Sequence, residues 1–278
     1  MLRVNNVVKS YKDFKLDCCL EIQPGCITGL IGKNGAGKTT LYKAILNLIE
    51  IDSGDITIKG DDYKVFDKNK IGVVLSNMYF GEYLKVNKII EVLANTFNDF
   101  EADEMLIRCK QHNLPLNKKL KDYSTGMKVK FNILVALSHH ASFLLLDEPT
   151  AGLDVLAREE ILDLIREYMN EDENRSVLIS SHISSDLESL CDDIYLIDDG
   201  KIVLHEDCIS LLDDYALLKL TDEQYDNIDH EYIIKTRKES YGYACLTNQK
   251  QFFVENYPEI VVEKNSFDTL FSMMIRGV

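Results

Sequence analysis

The chain has 278 residues, of which 46% are hydrophobic and 28% charged, and its formal net charge is −15. That length suits one large domain or a domain with an appendage, and the composition is that of an ordinary globular protein. The acidic balance excludes duplex DNA or bulk RNA as the main partner, because neutralising phosphates needs a basic face, and the short run Lys118, Lys119 and Lys121 reads as a solvated loop.

Seven cysteines without a CxxC pair do not fit a metal site, and they read as small buried hydrophobes in a reducing compartment. The stretch from Met1 to Asn6 lacks the apolar core of a secretory signal. The longest apolar run, Phe131 to Leu146, is interrupted by Asn132 and by His139-His140. The expected location is therefore cytoplasmic, with any membrane role borrowed from a partner.

Taken in order, Leu2, Val4, Val7 and Val8 suggest a first strand. Phe14, Leu16, Cys18, Leu20 and Ile22 then alternate with period two, as in an antiparallel strand buried on one face. Tyr11 lies in the turn between them, where an aromatic either stacks on a ligand or fills a core or turn position. Cys26 to Ile31 reads as a short buried strand, and Leu41, Ile45 and Leu48 recur at helical spacing.

Between that strand and helix stand Gly32, Lys33, Asn34, Gly35, Ala36, Gly37, Lys38, Thr39 and Thr40, a phosphate-binding P-loop pattern in the required strand–loop–helix context. Glycines let successive N–H groups turn toward phosphate oxygens, and the helix N-terminus adds a favourable dipole. Lys38 would reach the β- and γ-phosphates of a nucleoside triphosphate, and the Thr39 hydroxyl would ligate Mg²⁺. The alternative is a glycine-rich strand-to-helix turn.

Ile56–Ile58 and Ile71–Leu75 read as strands, and residues 86–112 as helices broken near Asn98-Asp99. Tyr123, Ser124, Thr125 and Gly126 precede an amphipathic helix, where Ser124 is a natural N-cap. Phe143–Leu146 is a continuous apolar run, as expected of a central parallel strand buried on both faces, and it ends in Asp147-Glu148. Beside a P-loop, Asp147 can hold Mg²⁺ through water and Glu148 can polarise the attacking water; the alternative is a pair of loop carboxylates. Residues 155–169 read as a helix and Ser176–Ser180 as a strand, with His182 beyond its tip, where parallel sheets bind ligands. Asp193 to Val203 reads as two strands joined by Asp198-Asp199-Gly200. Residues 220–230 read as an acidic linker. The remainder suggests strands near Ile233-Ile234, Tyr243–Leu246 and Ile260–Val262, with helices near Gln251 and at Leu270–Met274.

The order of these motifs resembles the ATP-binding subunits of ABC transporters: the P-loop, Tyr-Ser-Thr-Gly-Met at 123–127, Leu-Leu-Leu-Asp-Glu at 144–148, Ala-Gly-Leu-Asp at 151–154, and His182. The resemblance covers about residues 1–212. It implies an α/β P-loop NTPase with an antiparallel β subdomain and a helical subdomain at about 77–140; residues 213–278 lie beyond the resemblance and read from their own pattern as a small α/β appendage. It implies ATP and Mg²⁺ as cofactors, and an ATP-sandwich dimer in which the P-loop of one subunit and Ser124, Thr125 and Gly126 of the other close on one ATP. In that arrangement Tyr11 stacks on adenine, Lys38, Glu148 and His182 serve catalysis, and Asp154 lies at the dimer seam. The partner it implies is a multi-spanning membrane permease, with the chain peripheral on the cytoplasmic face of the membrane as a homodimer or heterodimer. Met127-Lys128 looks like the branch that exports drugs, antibiotics and antimicrobial peptides. One position departs from the pattern: where the family carries a glutamine that contacts Mg²⁺, this chain reads Ser76-Asn77, so Ser76 or Asn77 stands in. Tyr79, Phe80 and Tyr83, just beyond, suit either a permease contact or a satellite core. The rival reading is a soluble ABC-type ATPase acting in translation or DNA repair. A single P-loop and the lack of sustained heptads weigh against it.

Overall fold

The computed structural model describes residues 1–75, 80–97, 99–263 and 266–276. Strands β1 (Leu2–Ser10) and β2 (Lys15–Ile22) pair antiparallel, with Leu2 opposite Ile22 and Val4 opposite Leu20. The period-two pattern buries Leu16, Cys18, Leu20 and Ile22. Strand β3 (Ile27–Ile31) is buried along its whole length and leads through residues 32–37 into α1 (Lys38–Ile45). That helix is shorter than the apolar spacing predicts: Leu41 and Ile45 are buried, whereas Leu48 lies past its end and is exposed. Strands β4 (Ser53–Ile58) and β5 (Asp61–Asp62) return to β1, completing an antiparallel sheet of order β2-β1-β4-β5.

Strand β6 (Ile71–Val74) is followed by α2 (Val86–Ala94), α3 (Ala102–Gln111) and α4 (Thr125–Leu137). Then come β7 (Phe143–Asp147), α5 (Val155–Glu171), β8 (Ser176–Ser181), α6 (Ser184–Leu190), β9 (Asp193–Asp198) and β10 (Lys201–Asp207). The central sheet has the order β10-β9-β3-β8-β7-β6, parallel except for β10.

Two cores meet on the faces of this sheet, which explains why its strands read as unbroken apolar runs. Leu144 and Leu146 point into a core shared with α2–α6, while Phe143 and Leu145 point into one shared with α1 and the antiparallel sheet. Val177 and Ile179 divide from Leu178 in the same way. The Asp199-Gly200 turn between β9 and β10 has φ of 45° and 75°, the left-handed pair that a two-residue hairpin needs. Gly200 donates its N–H to the Ala36 carbonyl and accepts from Asp17, so this turn buttresses the P-loop from behind. A Cβ at Gly200 would lie 2.0 Å from the Lys15 carbonyl oxygen. Gly200→Ala is therefore expected to destabilise the fold by about 2 kcal/mol or more, seen as a lowered Tm in thermal unfolding.

After α7 (Cys208–Asp213), strand β11 (Ala216–Leu220) runs into α8 (Asp222–Asn227). The acidic stretch is thus not a linker. Thr221 and Gln224 form a capping box, and Asp222 and Glu223 sit in the first turn, where the helix dipole favours carboxylates. Strands β12 (Lys235–Glu239) and β13 (Gly242–Thr247), helix α9 (Lys250–Asn256), strand β14 (Val261–Glu263) and helix α10 (Phe267–Arg276) complete the chain. Ile233 and Ile234 fall just before β12 rather than within a strand. The third sheet is antiparallel, with order β12-β13-β11-β14. One face packs on α8 and α9 around Phe253; the other meets α10, whose Phe267, Leu270, Phe271 and Met273 join the core of α2–α6. All seven cysteines are free thiols, and five are buried as expected, whereas Cys26 is half-buried and Cys19 is exposed. Burial pushes the pKa of Cys18 and Cys208 to about 12 and that of Cys109 to about 11, as inert hydrophobes require.

Candidate functional site

Helix α1 begins at the end of a buried parallel strand, so its N-terminus is held at the C-terminal edge of the central sheet. Gly37 precedes it at φ 116°, and a Cβ there would meet the Phe14 ring at 2.9 Å. Lys38 is buried, and its Nζ donates to the Gly32 carbonyl at 2.5 Å and lies 3.3 Å from Glu148 Oε1. An ammonium held against a loop carbonyl and one carboxylate has a further donor available for an anion. Lys33 also lines the loop's cavity and pairs with Asp198 at 2.8 Å.

Asp147 ends β7 with only 1% of its surface exposed. Its Oδ1 accepts from the Ser180 hydroxyl at 2.7 Å and its Oδ2 from the Thr39 hydroxyl at 3.1 Å. Pairing of β7 with β8 brings Ser180 there, since Asp147 lies directly opposite it. The Tyr42 hydroxyl beneath donates toward the Leu146 and Leu178 carbonyls, and full burial raises its pKa well above that of a free phenol. Glu148 adopts φ 54°, a left-handed conformation that few non-glycine residues take. Its N–H is held by the Ser180 carbonyl at 3.1 Å, and its Oε2 accepts from the His182 N–H at 3.1 Å and faces His182 Nδ1 at 2.5 Å. A carboxylate accepts only, so Nδ1 carries the proton in this contact.

These groups open into a cavity of about 550 Å³ lined by Lys38, Thr39, Asp147, Glu148 and His182 together with Asn34, Gly35 and Thr40. Phe14 lines it as well. Tyr11 does not; it is 49% exposed, its ring 6.4 Å from that of Phe14. The structure therefore brings a different aromatic to the cavity wall from the one singled out in the sequence.

Ser124, Gly126 and Asp154 gather elsewhere, along a groove between the starts of α4 and α5; Thr125 lines that groove and also a second cavity that reaches Asp147 and Glu148. Ser124 caps α4 by accepting from the Met127 N–H at 3.3 Å, and Asp154 caps α5 by accepting from the Ala157 N–H at 2.9 Å. Ser124 and Gly126 do not line the cavity around Lys38. Ser76, Asn77, Met78 and Tyr79 lie outside the described residues. Of the neighbouring aromatics, Phe80 packs edge-on against Phe131 at 5.9 Å, while Tyr83 is exposed beneath the Lys121 ammonium. Sequence reasoning did not single out Ser180 or Phe14 as site residues. A polar residue closing the apolar run Val177–Ile179 was the available signal for the first, and no spacing rule points to the second.

Comparison with known proteins agrees with this geometry. The family model described as "ABC transporter" matches residues 16–151. The chain is 30% identical over 257 residues to the ABC transporter ATP-binding protein YtrB of Bacillus subtilis, covering 90% of this chain and 84% of that protein. It is 31% identical over 210 residues to the lantibiotic transport ATP-binding protein SrtF of Streptococcus pyogenes, covering 74% and 91%. A dimeric ATP-binding cassette solved in a post-hydrolysis state with ADP and Pi superimposes with a TM-score of 0.65 at 22% identity, over 75% of this chain and 99% of that one. With its P-loop at the sheet edge and the Asp147-Glu148 pair facing it, the chain belongs to the ATP-binding proteins of ABC transporters and is an ATP hydrolase.

Proposed function

We propose that this chain energises an export permease in the membrane from its cytoplasmic face, working as a dimer that closes on ATP. The observation that carries the reading is the separation of two half-sites. The Lys38 cavity is lined by neither Ser124 nor Gly126, while the capped N-terminus of α4, with its positive dipole end, faces out beside Asp154. A second copy would bring its Ser124, Thr125 and Gly126 to the γ-phosphate, with Asp154 at the seam. Tyr11 would extend the aromatic wall begun by Phe14 toward the base. The relative named for lantibiotic transport supports a transport role. No helix among the described residues is long and apolar enough to cross a membrane.

The Thr39 hydroxyl and the Asp147 carboxylate, 3.1 Å apart and both hard oxygen donors, fit Mg²⁺. Bound there, the ion would neutralise charge on the β- and γ-phosphate oxygens. The protein does the rest by positioning. Phosphate oxygens entering the loop compete for the Lys38 ammonium, which frees Glu148 Oε1 to accept a proton from the attacking water. His182, on the other Glu148 oxygen, would hold the γ-phosphate.

Two measurements test the reading. Pull-down of the tagged chain from detergent-solubilised membranes is expected to recover a multi-spanning protein in stoichiometric amount; ribosomal or DNA-bound partners alone would refute it. Light scattering on the Glu148→Gln form with ATP is expected to show a dimer. Adding Ser124→Asp, which keeps the helix cap but sets a carboxylate against the γ-phosphate, is expected to abolish that dimer while one-site ATP binding persists.

A further inference from the structure

Between His182 and the seam loop at 151–154 lies an ion pair with unspent capacity. Arg158 stands one turn into α5, its N–H donated to the Asp154 carbonyl at 3.0 Å. Asp186 stands in the first turn of α6, four residues past His182, where the helix dipole favours a carboxylate. The Asp186 side chain is 3% exposed and that of Arg158 25%. One long contact joins them, Arg158 Nη1 to Asp186 Oδ1 at 3.4 Å. Asp186 Oδ2 and Arg158 Nε are both buried, and neither has a hydrogen-bond partner among the described residues.

We infer that Arg158 and Asp186 are positioning residues for ATP hydrolysis: their pair ties the start of α5 to α6, and so fixes His182 relative to the 151–154 loop. A guanidinium and a carboxylate can form two parallel bonds at about 2.7–2.9 Å. Here one donor and one acceptor of the same pair stay unsatisfied, which is costly in a buried setting and is relieved when the two helices draw together. Movement of α5 at the seam is thereby transmitted to α6. Helix α6 cannot absorb it by shifting away, because α10 packs on it, with Phe267 and Phe271 in one core with Leu187 and Leu190. Neither Arg158 nor Asp186 lines the cavity around Lys38, so the pair acts through His182.

This inference rests on the reading of His182 as the γ-phosphate contact, and a double-mutant cycle separates the two. In the full chain, Asp186→Asn is expected to lower single-turnover ATP hydrolysis about tenfold while ATP affinity stays within about twofold. In a His182→Ala background it is expected to cause no further loss. Because Asp186→Asn leaves Arg158 without its charge partner, Arg158→Lys provides a second variant that keeps the charge but not the fork. It is expected to slow hydrolysis several-fold in the parent and not at all in His182→Ala. Equal losses in both backgrounds, or an unchanged rate in the parent, would overturn the inference while leaving His182 in its role. An unchanged rate for His182→Ala alone would overturn that role, and the inference with it.

Discussion

Glu148→Gln is expected to lower kcat for ATP hydrolysis by about 10²–10⁴-fold, the range associated with losing one positioned proton acceptor. The side chains are nearly isosteric, so the fold should not register the change. The N–H of Glu148 is bound to Ser180 through the backbone, and its left-handed φ belongs to the turn rather than to the carboxylate. An amide oxygen can still accept from the His182 N–H, as Oε2 does now. What disappears is the negative charge 3.3 Å from Lys38 Nζ and the capacity to take a proton from water. The first loss frees the ammonium for phosphate, so ATP affinity should hold or rise; the second removes the base. Phosphate-release kinetics alongside calorimetric titration with ATP separate the two. Turnover within about threefold of the parent would remove Glu148 from the role of base.

The sequence made the ATPase legible to different depths, for physical reasons visible in particular residues. Phe143–Leu146 could be read as a central strand because both faces of β7 are buried, which leaves no polar residue to break the run. The alternation from Leu16 to Ile22 could be read because only one face of β2 is covered. Strand β11 could not. Ala-Leu-Leu-Lys-Leu lacks β-branched residues and has good helix formers throughout, and it becomes a strand through pairing with β13 and β14, a tertiary effect that local propensity does not encode. Within the site, Lys38, Thr39, Asp147, Glu148 and His182 were all legible, because each stands at a strand tip or helix start that its own segment defines. Ser180 reaches Asp147 through inter-strand register, Phe14 reaches the cavity from just ahead of β2, and Asp186 and Arg158 meet through the packing of α5 on α6. Such pairings come from distant segments, so no local spacing announces them.

Lys38→Ala is expected to weaken ATP binding by about 10²–10⁴-fold, since charge-assisted hydrogen bonds contribute about 1.5–3 kcal/mol each and the ammonium can give more than one to the β- and γ-phosphates. The variant differs from Glu148→Gln in what it leaves behind. Without nucleotide, Glu148 loses its cationic neighbour and Gly32 loses a donor to its carbonyl, while His182 still holds Oε2. Some loss of Tm is therefore expected from the substitution itself. The diagnostic quantity is the further change caused by ligand. At an ATP concentration a hundred times the parent dissociation constant, binding stabilises the folded chain by about 2.7 kcal/mol, and a thousandfold weaker site gains almost nothing at that concentration. Thermal unfolding with and without ATP should thus show a rise in Tm for the parent and for Glu148→Gln, and none for Lys38→Ala. Lys38→Met, which keeps the buried stem and removes only the charge, separates packing from binding: it should recover much of the unliganded Tm and none of the ATP-induced shift. An ATP-induced shift in Lys38→Met equal to the parent's would place the phosphates away from α1, and the whole assignment of the cavity would have to be redrawn around different donors.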